Sequence, residues 1–174
     1  PTPTVHRSMI AIRRVFLALA TTLLLAGCAS PDAPDDGTAA PVRIDGDFAD
    51  WADASLRHTD ATGDGQALDL GRLWVENDDA YLYVQIEVGD TINLQEGNDL
   101  TLVLDTDHRT ATGRSAQNLG AEVTWTFGRR RGFAYPSDGA GPPDTLRHAD
   151  LGFASLPTTR SSVFEFVLRR DATV

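Results

Sequence analysis

Leu100-Thr101-Leu102-Val103-Leu104-Asp105-Thr106-Asp107-His108-Arg109-Thr110-Ala111-Thr112-Gly113 is an apolar run that meets two acids and then a polar turn closed by glycine. Leucine recurs at 100, 102 and 104, the alternation of a strand with one buried face. Asp105 and Asp107 follow two apart, so an extended backbone turns both to the same side. Two like charges side by side repel unless a cation or hydrogen-bond donors lie between them. The stretch therefore poses three readings: a metal site, a sugar site, or a solvated strand end.

The neighbouring sequence repeats the strand pattern. Leu70–Glu76 and Ala80–Val88 alternate on either side of Asn77-Asp78-Asp79, which reads as a hairpin turn. In the second strand Leu82, Val84, Ile86 and Val88 share the expected core face. Tyr81, Tyr83, Gln85 and Glu87 share the other. Ala121–Phe127 alternates again, Arg129-Arg130-Arg131 reads as a solvated basic turn, and Gly132–Tyr135 as the returning strand. Leu151–Leu156 and Ser162–Leu168 supply two more short strands. Phe48 and Trp51 lie three apart, on one side of a helical turn expected to close an edge of the core. Asp60–Asp69, Gly89–Gly97 and Pro136–Asp144 read as loops. No long 3.6-residue periodicity occurs after the first 27 residues. Short strands with Gly, Pro and Asp punctuation predict an all-β, antiparallel sandwich.

Charge narrows the partners. The 174 residues carry 15 arginines, no lysine, and 25 acids, of which 20 are aspartate, for a net charge of -10. That balance repels nucleic-acid phosphates and argues against them as partners.

The beginning of the chain has a separate character. Arg13-Arg14 precede the apolar run Val15–Gly27, which is short for a membrane span and ends at Leu25-Ala26-Gly27-Cys28. Met9, the only methionine, is the expected start of translation. The Leu-Ala-Gly-Cys motif resembles the lipobox of bacterial lipoproteins. That resemblance implies a leader over 1–27 and lipidation of Cys28, with acyl chains such as palmitate anchoring the chain to a membrane without spanning it. Ala29 stands second in the mature chain where aspartate would signal inner-membrane retention. The outer membrane, facing periplasm or cell surface, is the implied location. Removing the leader takes three arginines and no acid, leaving -13. Cys28 is the only cysteine, so no intrachain disulfide exists. Ser30–Pro41 lacks the residues to build a core, and 28–41 reads as a flexible tether to a domain over 42–174.

Three motifs in order resemble the family-9-type carbohydrate-binding modules and DOMON-like domains. They are Ile44-Asp45-Gly46-Asp47-Phe48-Ala49-Asp50-Trp51, then Leu73–Val84 with its acidic turn, then Asn98–Asp107 with Gly113 and Gly120-Ala121-Glu122. The resemblance implies a jelly-roll-like sandwich that binds calcium and, in some members, polysaccharide or other glycans. It also implies further strands beyond Val174, so the domain is expected to be incomplete.

On this basis the expected metal residues are Asp105, Asp107, Gly113 and Glu122, with calcium as the cation. Calcium takes six to eight oxygen ligands, and a D-x-D pair with a glycine-closed loop supplies part of that set. Trp74, Tyr81, Tyr83 and Trp125 are the expected ligand-binding aromatics, because sugars stack on exposed rings. No nucleophile elbow, phosphate loop, zinc spacing or triad is readable, so no catalytic residue is assigned. The expectation is a binding or accessory module rather than an enzyme. The alternative is the N-terminal accessory domain of a longer secreted hydrolase.

Overall fold

The computed structural model describes residues 9–13, 40–61, 63, 68–116 and 118–172. Among them the strands run in chain order as β1 (Met9–Arg13), β2 (Leu56–Thr59), β3 (Leu70–Asn77), β4 (Tyr81–Ile92), β5 (Thr101–Asp105), β6 (Arg114–Ala116), β7 (Leu119–Ala121), β8 (Val123–Thr126), β9 (Arg131–Ala134), β10 (Asp144–Leu146), β11 (Ala154–Leu156) and β12 (Ser161–Arg169). One sheet has the order β1-β5-β8-β9-β10 and the other β11-β12-β4-β3-β2, with β6-β7 as a separate hairpin. Every pairing is antiparallel except β1 with β5, which is parallel. The fold is an all-β sandwich whose sheets stay open.

Alternation explains what lies between the sheets. Val84, Ile86 and Val88 of β4 and Phe164, Phe166 and Leu168 of β12 meet Leu102 of β5 and Val123 and Trp125 of β8 in one buried cluster. Each such side chain contributes roughly 1.5–3 kcal/mol when fully buried, so this cluster dominates the stability of the sandwich. The acidic turn forms the hairpin as the sequence predicts. Asp78 Oδ1 accepts the amides of Ala80 at 2.8 Å and Tyr81 at 2.7 Å, which closes the link between β3 and β4.

Four expectations need adjustment. First, β4 does not end at Val88 but continues to Ile92. Second, Leu151 belongs to a short helix, α1 (His148–Leu151), rather than to a strand. Third, Trp51 closes no edge. The 3-10 turn Ala49–Asp53 places it over the outer face of the β4 sheet, where it joins Val42 and Tyr83, with Ile44, Phe48 and Trp74 around them. Fourth, β1 falls inside the stretch read as a leader, where no strand was expected. Cys28 and the tether up to residue 39 lie outside the described residues.

Candidate metal centre

β5 delivers Asp105 to the end of the sandwich, where it is only 2% exposed. Pairing of β5 with β8 sets Leu104 opposite Val123. The residue before Val123 is Glu122, and its amide donates to Leu104 O at 3.1 Å. Glu122 is therefore Asp105's neighbour across the sheet, and it is 4% exposed.

After Asp105 the chain leaves the sheet. The Thr106 amide donates to Glu122 Oε2 at 2.8 Å, and Thr106 Oγ1 lies 3.2 Å from the same atom. Asp107 Oδ1 accepts the Arg109 amide at 2.9 Å and lies 3.0 Å from Thr112 Oγ1. The loop folds back flush against the strands because two glycines permit it. A Cβ on Gly113, whose φ is +59°, would collide with Ala121 O, and one on Gly120 would collide with Arg109 O and Thr112 O. Gly113 thus serves the site through backbone packing.

The outcome is a compact acidic group. One carboxylate oxygen each from Asp105, Asp107 and Glu122 lie within 4.8 Å of one another. Asp105 Oδ1 and Glu122 Oε1 are buried with no hydrogen-bond partner. A buried polar atom left unsatisfied costs about 1–3 kcal/mol, and a charged one more. Two ionised carboxylate oxygens 4.8 Å apart repel by about 3.5 kcal/mol at an effective dielectric near 20. Glu122 Oε2 and Asp107 Oδ1 are taken up in holding the loop, which leaves Asp105 Oδ1 and Glu122 Oε1 as the unpartnered acceptors. An all-oxygen donor set suits a hard cation such as calcium or magnesium. Beside it lies an open depression of about 390 Å³ lined by Asp105, His108, Arg109, Thr110 and Ala111. Asp99, at the other end of the strand, is engaged elsewhere, 2.9 Å from Arg129 Nη2.

The expected aromatic surface is placed differently. Trp125 is fully buried, stacked on Phe153 with ring centroids 5.6 Å apart. Tyr83 is 6% exposed and donates its hydroxyl to Asp78 Oδ2 at 2.8 Å. Burial first, and then this hydrogen bond to a carboxylate, push its phenol well above the usual range. Trp74 is half-buried under the 42–54 segment, with the Arg72 guanidinium 5.0 Å from its ring centre. Arg72 is in turn paired with Glu87 at 2.6 Å. Of the four, Tyr81 alone is exposed, at 37%. Tyr83 and Trp74 are covered because the 42–54 segment packs on this part of the outer face, while Trp125 points into the core from β8.

Under that cover lies a group that alternation marks only as outward-facing. Glu165 of β12 is fully buried, opposite Gln85 in register. It accepts the Trp51 indole N–H at 2.8 Å and the Gly46 amide. Burial raises its carboxyl above the ordinary value, and these donors only partly offset that. The signal in the sequence is a lone acid set between Phe164 and Phe166.

Among the described residues no helix is long and apolar enough to cross a membrane. No family model, curated protein or solved structure matches this chain.

Proposed function

We propose that this chain is a lipid-anchored binding module whose sandwich is braced by one calcium ion, held by Asp105, Asp107 and Glu122. One observation carries the reading: Asp105 at the end of β5 and Glu122 just before β8 each bury a carboxylate oxygen without a hydrogen-bond donor, in a group of three acids whose oxygens come within 4.8 Å. The ion satisfies both and ties the 106–113 loop to the start of β8. The module acts by binding rather than by turnover, and the Leu-Ala-Gly-Cys motif supports attachment to the outer membrane through Cys28. Its ligand is a glycan.

Thermal unfolding tests the ion. Calcium at about 100 times its Kd stabilises a native-only site by about 2.7 kcal/mol, so the melting temperature rises by several degrees over that in chelator. Identical melting curves in millimolar calcium and in chelator would refute the site. Incorporation of labelled palmitate that disappears in Cys28→Ser tests the anchor.

A further inference from the structure

We infer that the depression beside the acidic group is the glycan site, and that it takes a carboxylate-bearing sugar, a hexuronate, held jointly by the bound cation and Arg109. The inference rests on the calcium reading and adds the ligand class to it.

Three features combine. Asp105 belongs to both places: it is one of the three clustered carboxylates and it lines the depression. Three protein side chains fall short of the six to eight oxygens that calcium takes, which leaves positions for carbonyls, water or ligand oxygens. Arg109 lines the same depression, is exposed, and forms no ion pair among the described residues. Its backbone is fixed, because its amide donates to Asp107 Oδ1 at 2.9 Å. The depression therefore sets a guanidinium beside a divalent-cation site. That combination favours an anion with two oxygens in one plane, since arginine grips a carboxylate through paired N–H donors.

The shape of the lining separates acidic from neutral sugars. Among the described residues no Trp, Tyr or Phe lines the depression; of the rings expected to stack on sugar, Trp125 and Tyr83 are buried, Trp74 is half-buried, and Tyr81 is exposed but is not part of the lining. Neutral sugars, which depend on stacking and hydroxyl contacts, gain little there. A uronate gains a charge-assisted contact at Arg109 and, through its carboxylate or ring hydroxyls, ligand positions on the cation. His108 and Thr110 stand at the same rim to receive hydroxyls. The net charge of -10 makes the cation a precondition, because without it a sugar acid approaches an acidic protein at an acidic cluster.

The test is titration of the full chain with D-galacturonate, and with D-galactose as the neutral counterpart, in calcium and in chelator. Calcium affinity is measured separately by calorimetry. The expected result is galacturonate binding in calcium, none in chelator, and none for galactose. Arg109→Ala is expected to weaken galacturonate by at least about tenfold, the scale of one lost charged hydrogen bond, while calcium affinity stays unchanged. Intact calcium binding with no galacturonate binding overturns the inference and leaves the ion site standing. So does galacturonate binding that survives chelation, that Arg109→Ala leaves untouched, or that galactose equals. Absence of calcium binding overturns the ion site and this inference together.

Discussion

Asp105 shows how much a single carboxylate can decide. Its Oδ1 is buried beside another acid and has no donor. Asp105→Asn removes one of the two charges and their mutual repulsion. The expected outcome in chelator is a melting temperature above that of the unmodified chain, and in calcium no further rise. A purely solvated acid would show neither effect, and differential scanning fluorimetry in both buffers distinguishes them. Gly113→Ala acts in the opposite direction. Its positive φ and the collision with Ala121 O require the loop to shift. The expected cost is about 1–3 kcal/mol for the strained backbone alone, read as a lower urea midpoint, together with weaker calcium affinity. Asp105 and Asp107 are legible in the sequence because two acids at the end of an alternating strand stand out. Glu122 follows from an adjacent strand. The unpartnered oxygens are not legible, since they depend on which carboxylate atoms Thr106, Arg109 and Thr112 have already taken.

Among elements, the segment 42–54 differs most from its sequence reading. Periodicity separates the two faces of β4 correctly, and Val84, Ile86 and Val88 do face the core. It says nothing about what later covers the opposite face. That information sits 119 residues away in sequence, where Glu165 receives the Gly46 amide, and 114 away, where it receives the Trp51 indole. Trp51→Phe keeps the ring and deletes the donor, leaving Glu165 Oε2 short of one partner. The expected loss is about 1–3 kcal/mol, measured by urea unfolding. The same carboxyl makes a pH prediction. Its folded value is raised above the ordinary 4.5, so the native state holds the proton more tightly than the unfolded chain. Its contribution is fully present below 4.5 and is lost as pH climbs through the folded value. Glu165→Gln removes this dependence. The difference in unfolding free energy between the two proteins should therefore change across that window and level off on either side. His148 slopes the other way. Burial, then Arg130, hold its imidazole below the ordinary 6.5, so its contribution is complete above 6.5 and is lost as pH falls through the folded value. Comparing Glu165→Gln with its parent at each pH cancels the histidine.

For the whole molecule, composition reads reliably where it concerns class. Short alternating strands and Gly/Asp punctuation lead to a sandwich because each strand must bury one face, and two open sheets satisfy that need together. Charge acts at the same scale. With -10 on the chain, compaction brings acids together, and the Asp105, Asp107 and Glu122 group, the proposed calcium site, sits within that repulsion. Raising sodium chloride from about 0.01 M to about 1 M shortens the Debye length from about 30 Å to about 3 Å. In chelator this is expected to raise the melting temperature, and in calcium to raise it less, because one source of repulsion is already neutralised.

β1 has a consequence for the life of the chain. It lies parallel along β5, Met9 against Thr101 through Arg13 against Asp105, and it belongs to the stretch that the lipobox reading removes. Cleavage before Cys28 would strip that strand from the sheet. The β5 amides directed away from β8 would then lose their partners, within a few residues of the acidic cluster. Were the chain cleaved there, hydrogen–deuterium exchange along Thr101–Asp105 would report it: slow before cleavage, fast after.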